Sequence, residues 1–242
     1  MSGVAEHYER MLSPVYAWMT GGTEAALAAG KSEIEALNLP LADGSLVVDL
    51  GAGFGMHAIP LATAGCRVIA VDSSSYLLGE LNRLAGTLPI TTVQGDLLSF
   101  RASVGERAAA VFCMGDTLTH LPEHTNVDLL IQEVAETLGR GGHLVLSFRD
   151  YTEPLLGDQR FIPVRADERR ILTCFLEYDD DTVLVHDILH ERTGDDWQTR
   201  VSSYRKLRLS PERVLGSLET FSFDARREPG LRGMVRVVAQ LR

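Results

Sequence analysis

The sequence predicts an α/β fold: a mainly parallel sheet covered by helices, followed by an added antiparallel meander. Three observations predict it. Short, continuously apolar runs alternate with helical patterns through the first half, as strands buried on both faces require. A cluster of glycines directly follows the first apolar run. The second half changes to longer strand patterns joined by polar turns, which is how antiparallel hairpins read.

The elements follow in order. Thr23–Leu37 has the spacing of an amphipathic helix, and Val4 to Met19 ahead of it carries Tyr8, Tyr16 and Trp18. Leu46–Leu50 (LVVDL) is a buried strand leading into the glycine turn and a helix through about Ala64. Arg67–Val71 is a second strand, followed by a helix near Ser75–Ala85, and Ile90–Val93 is a third. Ala109–Met114 is a fourth, followed by a helix near Asn126–Leu138, and His143–Phe148 is a fifth. Arg170–Tyr178, Thr182–Glu191 and Gln198–Leu207 then form the meander, with polar turns at Asp179–Asp181 and Thr193–Asp196. Ser210-Pro211-Glu212 opens a short helix, serine at the cap and proline at the first position. Strands near Phe221–Arg226 and Val235–Leu241 close the chain.

Neither a repeat nor a Pro/Gly-rich linker divides the 242 residues, so one domain, 1–242, is expected. Within it, 1–40 is an N-terminal helical lid, 45–150 a ligand-binding core, 160–209 the meander and 210–242 the closing helix and strands. With 23 Lys+Arg against 33 Asp+Glu the net charge is −10, a poor basis for neutralising phosphate backbones, so no nucleic-acid partner is expected. No apolar run approaches the ~20 residues of a spanning helix, and the first twenty residues lack a basic-then-apolar signal pattern, so no membrane partner is expected. Cys66, Cys113 and Cys174 sit in apolar runs without metal spacing, which fits a reducing cytoplasm. A homo-oligomer is compatible with the sequence.

Val48-Asp49-Leu50-Gly51-Ala52-Gly53-Phe54-Gly55 is the most informative segment. Glycines after a strand let the backbone turn tightly and approach a ligand at a helix N-terminus. The spacing is G-x-G-x-G rather than the dinucleotide G-x-G-x-x-G. Asp72 ends the second strand, where a carboxylate can accept from both hydroxyls of a ribose. Asp96 follows the third strand, placed for an adenine amine. Met114-Gly115-Asp116 follows the fourth, at the carboxyl ends of the strands where α/β sheets bind ligands.

This ordered set resembles the class I S-adenosylmethionine (SAM)-dependent methyltransferases over residues 45–150. The resemblance implies a Rossmann-like class I methyltransferase sandwich and SAM as cofactor. It implies that Gly51 and Gly53 pass beneath the methionine part, with Asp49 supporting the loop. Asp72 with Ser73 would hold the ribose, Asp96 and Leu97 frame the adenine, and Met114 line the approach to the methyl group. Tyr8 or Tyr16 would close the pocket from the N-terminal segment.

A narrower resemblance lies in Phe112-Cys113-Met114-Gly115-Asp116-Thr117-Leu118-Thr119-His120-Leu121-Pro122, which looks like the C-x-G-N-S-x-x-H-L-P segment of glycine N-methyltransferases. Phe148-Arg149-Asp150-Tyr151 looks like their H-R-N-Y, and Tyr204-Arg205-Lys206-Leu207-Arg208-Leu209 is similar more loosely. In that family the strand-five arginine clamps a carboxylate, a bidentate task suited to guanidinium, which implies Arg149 as an anion anchor. The family's asparagine is Asp116 here, and a second carboxylate would favour a cationic or hydroxyl-bearing acceptor over glycine. The acceptor is therefore expected between Asp116, His120, Arg149 and Tyr151. Arg149 would fix an anionic or carbonyl group, and Asp116 or His120 would orient the nucleophile and take its proton.

Among the histidines, His120 and His124 are interrupted by Pro122, and His186 and His190 would sit roughly 13 Å apart along a strand at ~3.3 Å per residue, so no metal site is expected. The reading is a small-molecule methyltransferase, with N-methylation of an amine or amino-acid-like metabolite preferred. O-methylation and a non-catalytic SAM-binding scaffold are the alternatives. RNA methylation is disfavoured by charge and by MGDT standing where an N/D-P-P-Y/F motif would be.

Overall fold

The computed structural model describes residues 3–242. The N-terminal segment is a broken helix. Helix α1 (Gly3–His7) runs into a wide π turn at Tyr8–Leu12 and a 3-10 turn at Ser13–Val15, and α2 spans Tyr16–Met19. Pro14 lacks the N–H that a continuous ladder would use, which fits the change of winding there. Helix α3 covers Thr23–Leu37, as its amphipathic spacing predicts.

The main sheet is built from β1 (Leu46–Leu50), β2 (Arg67–Asp72), β3 (Ile90–Gln94), β4 (Ala108–Cys113) and β5 (Leu138–Phe148). Between them lie α4 (Ala58–Thr63), α5 (Ser75–Ala85) and α6 (His124–Thr137). The second sheet contains β6 (Phe161–Ala166), β7 (Arg170–Tyr178), β8 (Thr182–Thr193) and β9 (Asp196–Leu207). Helix α7 (Pro211–Thr220), β10 (Phe223–Pro229) and β11 (Val235–Leu241) return the chain to the main sheet. Ser210 caps α7 by accepting from the Arg213 N–H, as the Ser-Pro-Glu signature predicts.

The seven strands are ordered β3-β2-β1-β4-β5-β11-β10, all parallel except β11, which runs antiparallel to both neighbours. This is the class I methyltransferase topology. Successive residues of β1 point to opposite faces, and both faces are covered. Val47 packs with Leu61, Ala62 and Leu81, whereas Val48 and Leu50 pack with Ile131, Val134 and Leu218. That two-sided burial explains why the central strands read as unbroken apolar runs. The chain moves in opposite directions from the adjacent pair β1 and β4, which opens a crevice at their carboxyl ends.

Several boundaries differ from expectation. Strand β5 begins at Leu138, five residues early, because its first residues still pair β4 across a bulge. Helix α4 starts only at Ala58, since the turn residues up to His57 pass around the crevice first. Strand β6 is an additional edge strand containing Pro163, a residue confined to edges because it cannot donate to a ladder. The four-stranded sheet is antiparallel throughout and buries Leu172, Val183, Val185, Leu189 and Tyr204 on its inner face. No helix among the described residues is long and apolar enough to cross a membrane.

Candidate functional site

A cleft with about 890 Å³ of space, part of it open to solvent, lies over the carboxyl ends of β1 to β4. The Gly51 turn supplies its floor. Gly51 has φ 72°, and an added Cβ would fall 2.4 Å from Thr117 Cγ2. Gly53 has φ 54° and is clear of all but Tyr16, 3.9 Å from the position of a Cβ, so a side chain there would enter the cleft itself. The Gly53 N–H donates to Asp72 Oδ2 at 2.8 Å and the Ser74 N–H to Asp72 Oδ1 at 2.8 Å. Burial raises the Asp72 carboxyl above its usual range against these hydrogen bonds. Asp96 caps the turn after β3 by accepting from the Leu98 N–H and leaves its other oxygen free of that bond.

Tyr16, Gly51, Gly53, Asp72, Ser73, Asp96 and Leu97 all line this cleft. Met114 and Asp49 lie beneath it, Asp49 where a residue expected to support the loop belongs. Met114 is 3% exposed and packs into the core beneath the cleft, where its carbonyl accepts from Thr117. Asp49 is 1% exposed, so it lies under the turn, with Oδ2 unpartnered. Burial raises its carboxyl to about 6, partly offset by the nearby His57 and the Ala58 N–H.

The other end of the cleft is formed by Val4, Ala5, Tyr8, His120, Leu121 and Pro122. The N-terminal segment is held over it by two polar clamps. His7 Nε2 lies 2.9 Å from Asp187 Oδ2 and Nδ1 lies 2.7 Å from Ser202 Oγ, both on the meander. Glu9 accepts from Ser74 and Ser75 at the start of α5, at 2.9 and 2.8 Å. Tyr8 OH stands 3.4 Å from His120 Nε2, and Tyr204 stacks on the His120 ring with centroids 5.4 Å apart. Burial drives the His120 imidazole down to about 3, with Lys206 adding to the effect, so the ring is neutral. Its Nδ1 is buried without a partner.

The structure changes the expectation for Asp116. It stands in the left-handed region at φ 74°, 4% exposed, and does not line the cleft. Its Oδ1 accepts from the Arg149 N–H (2.8 Å) and Thr119 Oγ1 (3.0 Å), and Oδ2 from Tyr151 OH (3.1 Å) and Lys206 Nζ (2.5 Å). Burial opposes its ionisation, but Lys206 and these donors overcome that and hold the carboxyl below its usual value. A carboxylate with four donors and a paired charge is a poor proton acceptor. Tyr151 is correspondingly a buried donor to Asp116.

Arg149 contributes its backbone to this network, while its guanidinium donates to the Arg232 carbonyl at 3.2 Å and does not line the cleft. Lys206 was the residue that sequence reasoning missed. His124 begins α6, and His186 and His190 turn outward to Glu177 and Thr199. Among the described residues no group of three or more His, Cys, Asp or Glu could hold a metal ion.

Residues 47–142 match the methyltransferase domain family. A glycine/sarcosine N-methyltransferase from Aphanothece halophytica is 32% identical over 107 residues, which are 43% of this chain and 40% of that protein. The chain thus spans well under two thirds of the curated relatives it matches. The CcbJ methyltransferase from Streptomyces caelestis superposes with a TM-score of 0.79 over 97% of both chains at 21% identity. A SAM-bound amino pentose methyltransferase from Micromonospora echinaspora gives 0.72 at 17% identity, over 96% of this chain and 97% of that one.

Proposed function

We propose that this protein N-methylates the amine of a small molecule using SAM, a reading supported by the match of residues 47–142 to the methyltransferase domain family and by the strand order of the main sheet. The observation that carries the reading is the division of one cleft into two ends. One end has the glycine turn with Asp72, Ser73, Asp96 and Leu97; the other has Tyr8 and His120 in an apolar frame.

The residues present fit the cofactor. Gly53 leaves open the space a Cβ would fill, and the cleft is lined by two carboxylates with no lysine or arginine, suiting a cofactor of net positive charge. Asp72 would hold the ribose and Asp96 the adenine amine. When bound, SAM supplies a methyl group on a sulfonium, electrophilic enough for in-line displacement.

The protein's task is then orientation, with the acceptor lone pair ~3 Å from the methyl carbon. Neutral His120, with Nδ1 buried, can accept a hydrogen bond from an amine N–H at Nε2, where the amine takes the place of the long contact to Tyr8 OH, and so aim its lone pair. Tyr8 on the cleft wall and Tyr204 stacked on His120 have phenols that burial raises well above their usual range, so both stay protonated. An alcohol acceptor would need a base near neutrality. Asp116 and His120 are both held low, which favours a nitrogen that brings its own lone pair and releases its proton to water. The glycine/sarcosine enzyme, named an N-methyltransferase, agrees with a nitrogen acceptor. Arg149 would have to leave the Arg232 carbonyl to clamp a carboxylate, so an amine without one is preferred to an amino acid.

Calorimetric titration with SAM and S-adenosylhomocysteine tests the cofactor, and saturable heat at micromolar concentration is expected. A panel of primary amines, secondary amines, alcohols and amino acids, read as S-adenosylhomocysteine formation with mass detection of the product, tests the acceptor. Absence of SAM binding would sink the reading, and turnover confined to alcohols would replace it with O-methylation.

A further inference from the structure

We propose that Lys206 is a positioning residue of the acceptor site: it fixes the meander onto the strand ends through Asp116 and thereby keeps His120 an uncharged hydrogen-bond acceptor. The inference rests on the reading of the cleft given above.

Three separate pieces of chain meet at the Asp116 carboxylate. The loop after β4 supplies Thr119, the loop after β5 supplies the Arg149 N–H and Tyr151 OH, and β9 supplies Lys206. Lys206 is 8% exposed, and its ammonium also lies over the rings of Tyr151 and Tyr204 at 5.8 and 5.6 Å. A buried ammonium is costly unless paired, so its environment of one carboxylate and two aromatic faces fixes it in one place. Tyr204 lies two residues before Lys206 on the same inner face of β9, and its ring is the one stacked on His120. Fixing Lys206 therefore fixes the plane against which His120 rests.

The charge acts alongside the geometry. The groups facing His120 are Tyr8 and His7 from the N-terminal segment, Tyr204 and Lys206 from β9, and Asp116 from its own loop. Asp116 favours an imidazolium, while burial, Lys206 and His7 oppose it. With Lys206 bonded to Asp116 at 2.5 Å the attraction of the carboxylate is cancelled. Without that cation an unopposed buried carboxylate would face the ring. His120 would then take up a proton and lose the lone pair that receives the amine N–H.

The test is the proton-carbon spectrum of the histidine rings, with His120 assigned by its loss in His120→Asn. In the wild type the His120 signal is expected to stay unmoved between about pH 5 and 8, since the group titrates well below that window. In Lys206→Gln, whose amide can still bond Asp116, the signal should titrate within the window; in Lys206→Arg it should remain still. SAM affinity should change by less than about threefold in both variants, because Lys206 is assigned no contact to the cofactor. With a panel of primary and secondary amines, Lys206→Gln should lower kcat about tenfold or more at pH 6 and recover as pH rises, with KM for SAM unchanged. A His120 that titrates near its ordinary value in wild-type protein overturns the proposal even if Lys206→Gln does not fold. An unmoved signal in folded Lys206→Gln overturns it as well. Failure of SAM binding in the wild type would instead defeat the functional reading and leave the spectral result standing.

Discussion

The Gly53 N–H donates to Asp72 Oδ2 at 2.8 Å, so the carboxylate read as a ribose holder also closes the glycine turn. Loop shape and hydroxyl recognition therefore converge on one side chain. Asp72→Ala is expected to weaken SAM binding by about 100-fold or more, since it removes two N–H acceptors together with the hydroxyl contacts. Asp72→Asn keeps one acceptor oxygen and should lose about tenfold. Calorimetry with SAM and, separately, with adenosine distinguishes a loop defect from a lost hydroxyl contact.

Asp49 should make the protein's stability depend on pH. Its folded-state carboxyl is raised to about 6 from 3.8, so the native state holds the proton more tightly than the unfolded chain. The favourable contribution is complete below about pH 4 and is lost as pH rises through 6. Asp49→Asn is then expected to stabilise the protein at pH 8 by on the order of 2–3 kcal/mol, with little gain near pH 4. Urea unfolding at both pH values measures the difference, and an equal effect at each would reject the assignment.

Removing one member of the buried pair should cost more than removing both. Asp116→Ala leaves Lys206 buried and uncompensated, an expected loss of about 3–5 kcal/mol. Asp116→Leu combined with Lys206→Met should recover much of that loss, because well-packed apolar replacements avoid the desolvation cost. Denaturant midpoints for the wild type, Asp116→Ala, Asp116→Leu, Lys206→Met and the double variant decide it; additive losses would mean that the two side chains are not coupled.

The clamps on the N-terminal segment should set how fast the cofactor leaves. Glu9→Gln weakens the carboxylate's bonds to Ser74 and Ser75, and His7→Ala removes the contacts to Asp187 and Ser202. Each is expected to raise the SAM dissociation rate about three- to tenfold, in line with one or two hydrogen bonds lost. Association should change less. Stopped-flow fluorescence from Trp18 would follow both rates.

The main sheet was legible because its chemistry is local. Buried strands read as apolar runs, and the G-x-G-x-G turn, Asp72 and Asp96 fall on successive strand ends in chain order. Strand β6 escaped notice because an exposed edge strand has no apolar alternation to show and contains Pro163. Lys206 was invisible for a different reason. In Tyr204-Arg205-Lys206-Leu207 nothing local distinguishes the inward cation from the outward one, and the carboxylate that decides the matter is 90 residues away. The same distance hid the fate of Asp116, expected with His120 to orient the nucleophile and take its proton and found saturated by four donors. Met114 read as a cleft residue from its place after β4, but the chain turns at Gly115 and leaves its side chain in the core.

His7 and Ser202, whose side chains hydrogen-bond to one another, are separated by 195 residues. Closing so long a loop carries a large entropic cost that only late contacts can offset, and such pairings form slowly. The acceptor end of the cleft can therefore form only after β9 has joined the segment around His7. The reverse path must undo more than that bond: Met11, Leu12 and Val15 are buried against Leu172 and Leu189, so releasing the broken helix exposes an apolar cluster along with its polar clamps. Proteolysis between Gly3 and Met19 is therefore expected to require opening of that cluster, and bound cofactor beneath the segment to slow it further.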